Sequence, residues 1–310
     1  MATDPEQINK YLKKALTLGK KELPKGHVAN YIPELAKARA DALGICIVDH
    51  DGTAYKAGDT NIRFSIQSIS KVISLCMALE LHGVDTVFSH VGMEPSGEAF
   101  NSIVELDLQS NRPFNPFINS GAIAVESLII DYRSFDEMLD FARNLCLDPE
   151  ITLNRQVYLS EMATCDRNRA IAYLLKSKGI ITTNVDTSIE LYTKMCSLNV
   201  TAESLANFGL VLAFDGLNPL TKKRLLKSST VQTVKTIMLT CGMYDGSGQF
   251  AVEVGIPTKS GVGGGLLSVV DKQMGIGVYG PALDEKGNCV AGKVMLKYLS
   301  EKLNLHLFHE

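Results

Sequence analysis

Asp4 before Pro5, with Gln7 three positions after the aspartate, opens a run in which Ile8, Leu12 and Leu16 recur at helical spacing. The chain is therefore expected to begin with an amphipathic helix, ended by Gly19. Residues 43–48 are apolar and rich in β-branched side chains, and they lead through His50-Asp51-Gly52 into residues 53–59, a hairpin signal. From there to about 240 the apolar positions recur mainly with helical spacing. The run from Ser70 reads as a buried helix stopped by Gly83, Thr187 and Glu190 read as a capping box, and Thr201 precedes a helix ending at Asp215-Gly216. Strand-like runs return at 258–261, 266–270 and 274–280, and a last helix over about 290–303 follows the turn from Asp284 to Asn288.

Strands at both ends with helices between them predict an α/β (α+β) architecture. Its antiparallel sheet would be built from about 1–66 and 240–310 and flanked by helices, beside a mostly helical part over about 67–239. No repeat, low-complexity tract or Pro/Ser-rich linker divides the chain, so residues 1–310 are expected to form one catalytic unit of two subdomains with a cleft between them. Of the 310 residues 45% are hydrophobic and 21% charged, and a net charge of only -3 argues against nucleic-acid or anionic-membrane partners.

The first twenty residues lack the basic-then-apolar order of an export signal, and no uninterrupted apolar run reaches the ~18 residues of a membrane span. The seven cysteines are odd in number, scattered and without metal-ligand spacing, as expected of reduced core thiols in a cytoplasmic protein with no metal site.

The chemistry concentrates at two places. Ser68 and Lys71 stand three apart at the start of the buried helix, so hydroxyl and amine share one helical face. A lysine can act as base there only if burial or a nearby cation brings it below its usual value near 10.4. The second place is Lys259-Ser260-Gly261, before Val262-Gly263-Gly264-Gly265, where glycines let backbone N–H groups approach a ligand. In this order the two elements match those of penicillin-recognising serine enzymes. Each alone also fits a plainer structure: a helix-start serine with a surface lysine, and a flexible glycine turn.

Seven blocks carry a closer resemblance: ANYIPELA at 29–36, FSIQSISKV at 64–72, NPFINSGAIA at 115–124, SEMATCDRNRAIA at 160–172, YTKMCS at 192–197, CGMYDGSG at 241–248 and KSGVGGG at 259–265. Together, in register, they resemble the serine-dependent glutaminases in their short bacterial-type form. That resemblance implies a β-lactamase/penicillin-binding-protein-like fold and hydrolysis of the side-chain amide of L-glutamine to L-glutamate and ammonia without a cofactor.

It implies that Ser68 is the nucleophile and Lys71 its base, with Tyr192 and Tyr244 beside them as proton relays. Tyr31, Gln67, Asn119, Glu161, Asn168, Tyr192, Tyr244 and Val262 match substrate-binding positions, with Lys259, Ser260 and Gly261 in support. A homodimer or homotetramer is likewise implied.

The residue types suit the assignment. A free amino acid needs an acid for its ammonium and neutral or cationic donors for its carboxylate, which Glu161 with Asn119 or Asn168 would supply. Glu161 and Asn168 lie seven apart, as if on one helix face. A penicillin-recognising hydrolase and a non-catalytic amino-acid sensor on the same fold are the competing readings. The glycine cluster is no dinucleotide fingerprint, since the third glycine falls on Leu266. His306 and His309 read as a solvated tail, and Lys222, Lys223, Arg224 and Lys227 as a wet helix face.

Overall fold

The computed structural model describes residues 4–97, 102 and 112–309. In chain order its regular elements are α1 (Pro5–Lys20), β1 (Gly44–Asp49), β2 (Ala54–Gly58), β3 (Phe64–Ser65), α2 (Ser70–His90), α3 (Asn119–Ile129), α4 (Phe135–Cys146), β4 (Thr152–Leu153), α5 (Arg155–Ala163) and α6 (Asp166–Ser177). They continue with α7 (Val185–Cys196), β5 (Leu198–Val200), α8 (Ala202–Ala213), α9 (Ser228–Cys241), α10 (Ser247–Glu253), β6 (Thr258–Ser260), β7 (Gly265–Val270), β8 (Met274–Tyr279) and α11 (Val290–Leu303).

The five-stranded sheet has the order β2-β1-β8-β7-β6, antiparallel throughout, and joins the two ends of the chain where β1 pairs with β8, Gly44 opposite Tyr279. Its strands alternate between two apolar clusters. Ile45, Ile47, Leu266, Ile276 and Val278 face the side covered by α1 and α11, whereas Cys46, Val48, Leu267 and Val269 face α8 and the helical part. The hairpin turn is fastened by Asp49, whose Oδ1 accepts from the N–H groups of Asp51 and Thr53 at 3.0 Å each.

Glycines in β8 seat the central helix. A Cβ at Gly275 would lie 1.9 Å from the Ala206 carbonyl oxygen, and one at Gly277 would lie 1.8 Å from that of Ala202, so α8 rests directly on the sheet backbone. Gly277→Ala must push α8 off the sheet. A loss of about 2 kcal/mol or more is expected, read as a lower urea midpoint at unchanged slope.

Several local expectations give way to packing. Gly19 does not end α1, which runs to Lys20; the glycine is the point where Met295 of α11 presses in, its Sδ only 2.5 Å from where a Cβ would stand. Helix α7 begins before Thr187, because the Asn184 side chain accepts from the N–H groups of Asp186 and Thr187 and caps the helix three residues earlier. Lys222, Lys223 and Arg224 lie in the loop between α8 and α9 rather than on a helix, and Lys227 is the residue before α9.

Gly83 does interrupt α2, at φ 76°. Among the described residues Gln67–His90 is the one helix long and apolar enough to cross a membrane, and here it runs through the core of the helical part. A three-stranded sheet, β3-β5-β4, was not legible in the sequence; its strands of two or three residues are too short to show a period.

Candidate active site

β3 delivers the chain to the site. Phe64 and Ser65 pair with Val200 and Asn199 of β5, the Ile66 N–H donates to the Leu198 carbonyl at 2.8 Å, and Gln67–Ile69 then form a 3₁₀ turn leading into α2. Ser68 is in the middle of that turn, just ahead of the helix rather than within it. Gln67 has a φ of 49°, which costs an L-residue about 1 kcal/mol or more. Its side chain holds it there: Nε2 donates to Ser65 Oγ at 2.9 Å, Glu161 Oε2 at 3.3 Å and the Cys196 carbonyl at 3.4 Å.

Lys71, in the first turn of α2, is 2% exposed. Its Nζ donates to Asn119 Oδ1 at 2.7 Å and to the Phe117 carbonyl at 3.2 Å, and lies 5.8 Å from the centre of the Tyr192 ring. Burial pulls this amine down to about 8, against the opposing pull of Cys196 and Glu161. Asn119 opens α3 and links three elements: its Oδ1 also accepts from Tyr192 OH at 3.3 Å, and its Nδ2 donates to Asn168 Oδ1 at 3.0 Å.

The opposite wall comes from β6 and the turn after α9. Lys259 is fully buried; its Nζ donates to the Ser260 carbonyl at 2.6 Å and stands 4.6 Å from the centre of the Tyr244 ring and 5.6 Å from that of Phe117. Burial, and then the neighbouring Lys71, hold its amine well below the ordinary lysine range. Tyr244 is a second left-handed residue, at φ 54°. Burial raises its phenol, and a hydrogen bond with Ser68 works against that rise.

The glycine turn presses onto the Ser68 segment. A Cβ at Gly261 would lie 2.7 Å from the Ile66 carbonyl oxygen, and one at Gly263 would lie 2.1 Å from that of Ser65, so only glycine lets the backbone around Val262 come this close. The Ser260 hydroxyl is buried with no partner among the described residues.

Glu161 and Asn168 do reach the same region, but not from one helix face. Glu161 belongs to α5 and Asn168 to α6, with the chain turning between them at Thr164 and Cys165. Burial lifts the Glu161 carboxyl to about 7, offset in part by the Gln67 hydrogen bond and by Lys71. Tyr31 is 52% exposed at the rim, yet its phenol is raised by the protein around it and then by the fields of Tyr244 and Glu161.

A cavity of about 370 Å³ opens beside Tyr244 and Phe117, lined also by Asn115, Ile118, Cys241 and Ser247. Another, of about 360 Å³, is walled by Lys235, Asp271 and His306 and shares none of these groups. Hydrogen bonds and ring contacts thus link Gln67, Ser68, Lys71, Asn119, Glu161, Asn168, Tyr192, Tyr244 and Lys259 into one constellation, whereas His306 lies apart from it.

Not legible in the sequence were the carbonyls of Phe117 and Cys196, which accept from Lys71 and Gln67 and leave no residue-type signature. Asn115 was legible in principle: Asn-Pro marks a turn, and its Oδ1 accepts from the N–H groups of Phe117 and Ile118 at 2.9 and 3.2 Å, shaping the loop that meets Lys71.

The family described as Glutaminase matches residues 26–308. The chain belongs to the glutaminase family. It is 49% identical to Glutaminase 2 of Clostridium perfringens over 305 residues, 97% of this chain and 100% of that one. It is 50% identical to a glutaminase of Clostridioides difficile over 302 residues, 96% and 97% of the two chains.

The solved structure of the probable glutaminase ybaS superposes with a TM-score of 0.94 at 38% identity, covering 98% of this chain and 99% of that one. A probable glutaminase from Bacillus subtilis, in complex with 6-diazo-5-oxo-L-norleucine, gives 0.89 at 35% identity over 99% and 98%. This glutaminase is of the serine-dependent type and has the β-lactamase-like fold, an amidohydrolase rather than a penicillin-recognising enzyme.

Proposed function

We propose that this glutaminase hydrolyses the side-chain amide of L-glutamine through an acyl-enzyme on Ser68, with Lys71 as base. Lys71 Nζ takes the hydroxyl proton as Ser68 Oγ bonds to the amide carbon. The oxyanion is held by the backbone N–H groups of Ser68 and Val262. The C–N bond then breaks, the leaving nitrogen receives the proton from Lys71 through the Tyr244 phenol, and ammonia departs. Water, deprotonated by the same amine, attacks the ester carbonyl and releases glutamate.

The observation that carries this reading is the state of Lys71: a buried amine, pulled down to about 8, whose acceptors are an amide oxygen and a backbone carbonyl. Glu161 is the acid that meets the α-ammonium, with Gln67 and Asn168 beside it; Tyr192 and Asn119 border the reacting amide, and Tyr31 lies at the mouth. A bound ammonium would pull the Glu161 carboxyl down from about 7 into its ionised form. The Bacillus subtilis relative's complex with an amino acid that carries a diazoketone in place of the amide supports a site of this kind.

The pH profile tests it. A base must be neutral, so kcat for ammonia release is expected to rise with pH and level off once pH passes about 8, where Lys71 loses its proton. A kcat independent of pH from 6 to 10 would overturn Lys71 as base. We further propose the cytoplasm as its location, where the seven buried free thiols stay reduced, and a homodimer or homotetramer as its assembly, a mass that light scattering reads.

A further inference from the structure

Helices α2 and α3 are tied side by side at three levels, and the partners climb together along both helices. Lys71 Nζ meets Asn119 Oδ1 at 2.7 Å, Ser74 Oγ donates to Glu126 Oε1 at 2.5 Å, and His82 Nε2 meets the Leu128 carbonyl at 2.7 Å. The middle tie is unlike the others. Glu126 is 2% exposed, and its second oxygen, Oε2, is buried with no partner among the described residues.

A carboxylate in such a place would carry an uncompensated charge; a neutral acid costs far less. Ser74 lies one turn beyond Lys71 on the same face of α2, and Glu126 two turns beyond Asn119 on the same face of α3.

We propose that Glu126, as a neutral acid bonded to Ser74, is a positioning residue for Lys71: it sets the register of α2 on α3 and keeps the seam beneath the Lys71–Asn119 contact dry. The proposal rests on the reading of Lys71 as the base.

Burial accordingly lifts the Glu126 carboxyl to about 7, with the Ser74 hydrogen bond opposing. Among the described residues no charge offsets that rise. Lys71 and His82 are the titratable groups α2 turns toward α3 in these ties; α7 brings Tyr192, and Cys196 beyond it; α6 presents Asn168, and its Arg169 is engaged with Asp186 of α7.

The sign follows. A carboxyl whose folded value is raised adds stability below its unfolded value near 4.5 that is lost as pH climbs through about 7. A fixed neutral side chain at this position escapes that loss.

The test compares wild type with Glu126→Gln, Glu126→Ala and Ser74→Ala, reading kcat and KM against pH and titrating Lys71 by NMR with 13C-labelled lysine. Glu126→Gln keeps shape and neutrality, so kcat should stay within about threefold of wild type and the loss of thermal stability between pH 5 and 8 should shrink. Glu126→Ala and Ser74→Ala each open the seam to water. In both, kcat should fall by about tenfold with KM within about twofold, and the Lys71 titration and the rising limb of kcat should move together to higher pH.

Folded Ser74→Ala and Glu126→Ala proteins with wild-type kcat and an unmoved Lys71 titration would overturn the proposal. Were Glu126→Ala not to fold, Ser74→Ala and Glu126→Gln decide it. The titration is read without turnover: a wild type whose kcat ignores the protonation of Lys71 defeats the reading of the base, whereas unchanged variants in an enzyme that obeys it defeat only the role of Glu126.

Discussion

Ser68→Ala is expected to lower kcat for glutamine by about 10⁴-fold or more, with a thermal midpoint within a few degrees of wild type and glutamine binding retained. The hydroxyl is a small part of a turn whose shape is set by other atoms: the Ile66 N–H on the Leu198 carbonyl, and Gln67 on Ser65, Glu161 and Cys196. Removing it takes away the proposed reacting atom and the bond to Tyr244, and leaves Glu161, Asn119 and Asn168, the groups proposed to hold the amino-acid end. Mass spectrometry gives a second reading. Treatment with 6-diazo-5-oxo-L-norleucine should add the analogue to the Ser68 peptide of wild type and leave the variant unlabelled; a label on another side chain in wild type would refute the assignment.

Lys71→Met is expected to cost about 10³-fold or more in kcat while making the protein more stable at neutral pH. Methionine keeps the length of the side chain and discards the amine. A lysine held at about 8 rather than 10.5 binds its proton less well folded than unfolded, so its contribution to stability is full above 10.5 and is lost as pH falls toward 8. At pH 7 that loss amounts to about 3 kcal/mol, offset in part by the hydrogen bonds to Asn119 and Phe117. The stabilisation should therefore be clear in urea melts at pH 7 and vanish near pH 10.5. A variant less stable than wild type at pH 7 would mean that these hydrogen bonds outweigh the buried charge.

Much of the sheet was legible because its central strands are covered on both faces and read as continuous apolar runs, interrupted in β8 by glycines where α8 needs a seat. The Thr201 start could be read from type and position, and in the structure Ser204 completes a capping box there. Thr187 and Glu190 satisfied the same rule and misled, because Asn184 offers a better oxygen one turn earlier and nothing local ranks the two.

For the site, the residue types that carry charge or nucleophilicity announced themselves, while the atoms that aim them did not. The carbonyls of Phe117 and Cys196 exist at every position of any chain, and only tertiary packing selects them. The turn at Thr164 and Cys165 that separates Glu161 from Asn168 contains neither glycine nor proline, so a seven-residue spacing passed for two turns of one helix.

The pairing of β1 with β8 ties a strand to one synthesised long after it. A nascent chain still lacking residues 258–279 leaves β1 with an unpaired edge and α8 without its seat on β7 and β8. Ser68 and Lys71 emerge from the ribosome long before Lys259 and Val262 can face them. On the roles proposed above, the site's assembly therefore waits on a long-range closure that is slow by nature and vulnerable to aggregation until it is complete.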